Sequence, residues 1–132
     1  MPSFDRRELA AIFAGGAAGA VLRVWLGTTF SGGAPGWPWV TFTINVTGSF
    51  ALAFIATRLQ ERLPLSSYRR PLVGTGFCGA YTTFSTMAVE IIKIADHGDY
   101  ALAVAYALAS VAAGFAAIWV ATALVRRTRL IA

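Results

Sequence analysis

Apolar positions gather in four blocks, and the charges fall almost entirely between them. Residues 9–30 hold a single charge, Arg23; residues 39–57 hold none, residues 71–92 only Glu90, and residues 100–125 none. A helix rises about 1.5 Å per residue, so about 20 apolar residues cross the roughly 30 Å of bilayer hydrocarbon. Each block has that length. The pattern predicts an all-α membrane protein with four transmembrane helices, over about 8–30, 39–60, 71–94 and 100–125. They form a single transmembrane domain over residues 1–132, leaving no room for a soluble one.

The third block differs from the others. Its run Gly76-Phe77-Cys78-Gly79-Ala80-Tyr81-Thr82-Thr83-Phe84-Ser85-Thr86-Met87 sets two glycines before a cluster of hydroxyls, poor material for an uninterrupted lipid-facing helix. Irregular backbone at membrane depth survives only where it is buried in protein or lines a polar path. The run therefore predicts a third helix broken within it, at Gly79, beside a route for something small and polar.

Composition agrees with the hydropathy pattern. Apolar residues make up 57% of the chain and charged residues 13%, against roughly 25% charged in soluble domains. The net charge of +5 raises nucleic-acid binding, but the positions of the charges argue against it. Nine arginines lie at the N-terminus (Arg6, Arg7), between helices two and three (Arg58, Arg62, Arg69, Arg70) and at the C-terminus (Arg126, Arg127, Arg129). With four crossings all three regions share one side, and the opposite loops hold only Lys93. Basic residues in short loops stay cytoplasmic, so both termini are expected there, with the arginines meeting anionic lipid head groups. Arg23 interrupts the first apolar run, which is also longer than a signal-peptide core, so that run reads as a retained helix. Cys78 is the only cysteine, which excludes an intrachain disulfide.

Small residues indicate packing faces. Gly15 and Gly19 on the first helix, and Gly16 with Ala20, are spaced by four. Ala101, Ala105, Ala109, Ala113, Ala117 and Ala121 form a ridge on the fourth, with Ser110 and Gly114 beside it. Close approach through small residues drives helix association in lipid. The outer connections are short: Gly32, Gly33, Pro35, Gly36 and Pro38 mark one turn, and Gly98 with Asp99 reads as a helix stop followed by an N-cap. Trp25, Trp37, Trp39 and Tyr100 fall at the outer interface.

Packing leaves four polar features over. Arg23 stands near the outer end of helix one, where it either snorkels or forms a cationic vestibule; at a helix centre a charge costs about 2.5–3.5 kcal/mol. Thr41 and Asn45 share a face of helix two with Gly48 and Ser49, and the Asn45 amide can tie helices together or donate to an anion. Phe84 and Met87 follow the expected break, and an aromatic edge is electropositive. Glu90 lies one turn beyond Met87, with Lys93 three residues on as a possible ion-pair partner.

These residues resemble the small bacterial fluoride channels of the Fluc or CrcB family, in three ordered motifs. They are Gly15-Gly16 through Gly19-Ala20 to Arg23; Thr41 through Asn45 to Gly48; and Gly76-Phe77-Cys78-Gly79, Thr82-Thr83-Phe84-Ser85-Thr86 and Glu90. The resemblance implies a fluoride-selective channel for passive export, built as an antiparallel dimer of two oppositely inserted chains with two pores along their interface. It implies pore residues Asn45 and Phe84, with Met87, Thr41, Ser85 and Ser110 as neighbours, and Arg23 at an aqueous vestibule. It also implies a central structural sodium ion held by the backbone carbonyls of Gly79 and Thr82.

The chain departs from the family pattern in two places. Met87 stands where the family usually has a second phenylalanine, and Gly114 and Ile118 stand where hydroxyls are common. The nine-to-one arginine bias raises a further alternative to a homodimer, namely a heterodimer with an oppositely biased homologous subunit. From other classes, a small proton-coupled multidrug-type transporter and a non-conducting partner subunit of a fluoride channel pair remain alternatives. An enzyme is not expected, since no nucleophile–base pair is present and His97 lies in a loop.

Overall fold

The computed structural model describes residues 5–31, 36–61 and 68–128. Arg62, Arg129, Gly32, Gly33 and Pro35 lie outside them. Among the described residues the chain is helical throughout, with no strand. The elements are α1 (Arg6–Phe30), α2 (Trp39–Glu61), a π-helical segment (Arg70–Cys78), α3 (Gly79–Tyr81), α4 (Phe84–Asp96) and α5 (Tyr100–Arg127).

Three of these, α1, α2 and α5, are each long and apolar enough to cross a membrane. Local signals set their ends. Asp5 caps α1 by accepting from the Arg7 N–H at 2.9 Å. Asp99 caps α5 by accepting from the Leu102 N–H at 3.0 Å, and Gly98, at φ 87°, makes the turn before it. A side chain rarely adopts that φ, which is why glycine stands there.

The packing is helix on helix. α1 lies against the π-helical segment and α3, while α5 packs on α2 and α4. The first of these contacts is backbone on backbone. A Cβ on Gly15 would overlap the Leu72 carbonyl, one on Gly19 would overlap the Phe77 carbonyl, and one on Gly76 would meet the Ile12 carbonyl at 2.5 Å. The wide π turn, in which the Gly79 N–H reaches back to the Gly74 carbonyl, recurs at functional sites in other proteins.

On α5 the buried line runs through Ala103, Tyr106, Ser110, Ala117, Ala121 and Val125. This corrects the alanine ridge: Ala117 and Ala121 pack inward, but Ala101 and Ala105 are exposed. Large apolar side chains such as Phe13, Phe115 and Trp119 stay exposed, as a lipid-facing surface requires. Two contacts tie together the end that carries most of the arginines. Arg126 Nε meets Glu61 Oε1 at 3.2 Å, and the Tyr68 hydroxyl donates to Asp5 Oδ2 at 3.4 Å.

Candidate functional site

Helical geometry stops after Tyr81 and resumes at Phe84. Thr82 (φ −74°, ψ 151°) and Thr83 (φ −145°, ψ 112°) are extended. The break expected at Gly79 therefore falls three residues later, and Gly79 itself is helical (φ −62°, ψ −36°). Gly76 serves close packing against α1, whereas a Cβ on Gly79 would meet only the Gly74 carbonyl, at 4.0 Å. The hydroxyl residues release the backbone, because their side chains replace the hydrogen bonds that the helix gives up.

Those replacements can be followed group by group. The Thr82 N–H keeps its helical bond to the Cys78 carbonyl at 3.1 Å, and the Thr82 hydroxyl joins it there at 3.0 Å. The Thr83 N–H donates to Asn45 Oδ1 at 2.8 Å, and Asn45 Nδ2 donates back to the Thr83 carbonyl at 3.0 Å. Thr83 Oγ1 caps α4 by accepting from the Thr86 N–H at 3.2 Å, and it donates to Thr86 Oγ1 at 3.0 Å. Gly48 makes room: a Cβ there would overlap Thr82 Cγ2. In an unbroken helix the Thr83 N–H would bond the Gly79 carbonyl. With that N–H committed to Asn45, the Gly79 carbonyl loses its helical donor.

A cavity of about 260 Å³ opens beside the interruption, lined by Arg23, Thr28, Thr41, Thr83, Thr86 and Glu90 among others. Arg23 Nε is buried there with no hydrogen-bond partner among the described residues. Glu90 is fully engaged: Thr41 Oγ1 donates to its Oε1 at 2.7 Å, and the Tyr106 hydroxyl to its Oε2 at 2.8 Å. Of the alternatives open for Glu90, the pairing with Lys93 is not formed, since Glu90 faces α2 and α5. Cation and carboxylate thus share a chamber without a salt bridge between them, and two hydroxyl donors offset the carboxylate charge. A larger groove of about 480 Å³ between α2 and α5 is lined by apolar residues and Thr47, and contains none of these groups.

The expected site residues divide between two environments. Arg23 and Thr41 meet in the chamber with Thr83, Thr86 and Glu90. Asn45 is half-buried and bound to the interruption, so it is not simply a free donor to an anion; one of its two amide N–H groups is already used. Phe84 and Met87 do not form a pair: Phe84 is 78% exposed and points away from the chain, whereas Met87 is buried. Ser85 is exposed, its Oγ 3.3 Å from Thr83 Oγ1. Ser110 Oγ is buried, with no hydrogen-bond partner among the described residues. Sequence reasoning missed Tyr106. Its signal was a phenol inside the apolar run, one turn before Ser110.

Comparison with known proteins places these features in context. The family model described as CrcB-like protein, Camphor Resistance (CrcB), matches residues 10–122. The chain is 55% identical over 130 residues, 98% of each chain, to the Fluoride-specific ion channel FluC 1 of Mycobacterium bovis, and equally to that of Mycobacterium tuberculosis. It is 41% identical over 125 residues to the Fluoride-specific ion channel FluC of Methylococcus capsulatus, covering 91% of this chain and 53% of that one.

Proposed function

This chain belongs to the CrcB-like family, and from that premise we infer that it is a fluoride-specific channel subunit of the bacterial plasma membrane. It is a multi-pass membrane protein, and its work is ion conduction rather than catalysis. Fluoride enters a cell as the neutral acid and becomes trapped as the anion in a less acidic cytoplasm. An inside-negative potential then drives the anion outward through any selective path.

The observation that carries this reading is the chamber. It holds an unpaired guanidinium, hydroxyls from Thr83 and Thr86, and the start of α4. Fluoride is small and strongly hydrated, so its path must supply donors close enough to replace water. The Thr86 hydroxyl, the spare Asn45 amide N–H and the uncapped first N–H groups of α4 are such donors, and the positive end of α4 favours an anion. Arg23 attracts anions into the chamber, while Thr41 and Tyr106 keep the Glu90 charge from opposing them.

The π-helical segment, α3 and α4 together form a fourth crossing, in two halves, so that both termini of one subunit lie on the same side of the membrane. The conducting unit is two such subunits inserted in opposite senses. The outward ring of Phe84 supports this, since it lies beside the interruption with nothing of its own chain over it. A structural sodium ion suits the same place. Gly79 and Thr82 would hold it through carbonyl oxygens, hard ligands of the kind that replace an alkali ion's water shell, and the Gly79 carbonyl lacks its helical donor. Such an ion supplies positive charge where the halves of the broken helix end.

The multidrug-type alternative is disfavoured by the same chamber. Its carboxylate is occupied by two hydroxyl donors and its cation repels cationic substrates. Growth of a bacterium lacking its own fluoride exporter tests the proposal. Expression of the complete channel restores growth in fluoride medium; failure to do so, with the protein present in the membrane, contradicts it.

A further inference from the structure

We propose that Trp37 is a positioning residue for the anion path: it holds the Tyr106 hydroxyl on Glu90, and so keeps that carboxylate from turning into the chamber. The proposal rests on the fluoride reading above and gives the connection between α1 and α2 a part in it. Trp37 is not among the described residues that line the chamber, so it acts through others.

Local geometry aims its ring. Trp37 precedes a proline, which favours extended backbone, and its carbonyl accepts from the Trp39 N–H at 2.8 Å. The Pro38 carbonyl accepts from the Phe42 N–H at 3.0 Å as α2 begins. The indole meets the Phe42 ring at 74°, with centroids 5.6 Å apart. This is the arrangement of a hydrophobic staple, which fixes the angle at which a chain enters its helix. That entry places Thr41, whose hydroxyl donates to Glu90 Oε1 at 2.7 Å.

A staple needs only Phe42, yet the same indole also reaches α5. It stands nearly perpendicular to the Tyr106 ring, at 82° and 5.4 Å between centroids. Tyr106 is wholly buried, and its hydroxyl donates to Glu90 Oε2 at 2.8 Å. A phenol turns about two single bonds, so the neighbour packed against its ring decides where the hydroxyl points. Trp37 Nε1 is buried with no hydrogen-bond partner among the described residues; the indole works through its ring rather than its N–H. One residue outside the chamber therefore governs both donors that hold Glu90. Without the indole the phenol swings into the space left, and one carboxylate oxygen loses its donor. The freed carboxylate can then turn to Arg23, which lines the same chamber, and cancel the charge that draws anions in.

Two measurements on the chain paired with its opposed subunit test this: fluoride release from liposomes, and the Glu90 carboxylate band in infrared spectra. Subtracting the spectrum of Glu90→Gln isolates the band. Trp37→Leu is expected to shift it and to slow release about tenfold, the scale of one lost hydrogen bond to a charge. Trp37→Phe keeps a ring, and is expected to keep both the band and the release rate. In the Glu90→Gln background no carboxylate remains to hold, so Trp37→Leu is expected to change the rate by less than about twofold.

An equal loss in both backgrounds shows a merely structural residue and overturns the proposal, as does an unmoved band in Trp37→Leu. Abolished release in Glu90→Gln alone overturns it too, since fluoride would then need the carboxylate itself. Should Trp37→Leu fail to assemble, Trp37→Phe decides: band and rate retained uphold the proposal, and either one altered in folded protein overturns it. No release from the unaltered chain, with the band shifted in Trp37→Leu, counts against fluoride conduction and upholds the placement of Tyr106 by Trp37.

Discussion

Asn45 grips Thr83 by both of its peptide groups, accepting from the N–H at 2.8 Å and donating to the carbonyl at 3.0 Å. A primary amide presents a donor and an acceptor side by side, so one side chain substitutes for a turn of helix. An unsatisfied buried polar group costs about 1–3 kcal/mol. Asn45→Leu strands two such groups, and Asn45→Asp keeps the acceptor but loses the donor. Both variants are expected to melt at lower temperature in detergent and to lose fluoride transport, Asn45→Leu losing more stability. Unchanged melting of Asn45→Leu contradicts the clamp.

Glycine substitutions separate backbone contact from mere small size. In Gly19→Ala the added methyl overlaps the Phe77 carbonyl, and overpacking of this kind typically costs about 1–3 kcal/mol. Gly27→Ala meets nothing within 4 Å. Thermal unfolding is expected to show a clear drop for Gly19→Ala and little change for Gly27→Ala.

Phe84 makes the opposite case. Its ring is largely free of its own chain, so Phe84→Ala is expected to leave subunit folding nearly unchanged while reducing fluoride flux severalfold. Melting and flux measured on the same preparation check it. Loss of both together would show that the ring supports the fold.

Glu90 distinguishes a channel from a proton-coupled exchanger. Its oxygens already accept from Thr41 and Tyr106. An imposed pH gradient is therefore expected to drive no transport, and Glu90→Gln to retain measurable fluoride flux. Tyr106→Phe leaves one carboxylate oxygen without its donor and is expected to destabilise the protein by about 1–3 kcal/mol. Substrate uptake driven by a proton gradient and lost in Glu90→Gln contradicts the channel reading.

How much of this was legible in sequence depends on whether the relevant partner is local. Hydropathy located α1, α2 and α5 because a lipid solvent acts on every residue of a span alike. Helix-stop chemistry at Gly98 and Asp99 was equally local. The interruption was misplaced at Gly79 because glycine reads as a helix breaker. At Gly76 the missing Cβ instead admits the backbone of α1, Gly79 stays helical, and the break waits for hydroxyls and for Asn45, 38 residues away in sequence. For Glu90, spacing offered Lys93 as one possible partner, yet its partners come from α2 and α5, which sequence spacing does not bring together. Phe84 and Met87, three apart, share a rough face by spacing alone; packing of α4 on α5 buries one and leaves the other outside.

Fluoride release from liposomes tests the central claim most directly. The chain is reconstituted with its opposed subunit, potassium fluoride is loaded inside, and a fluoride-selective electrode reads the bath after a potassium ionophore is added. Rapid fluoride release is expected, with chloride retained under the same gradient. Retained fluoride, or chloride released equally fast, contradicts the account.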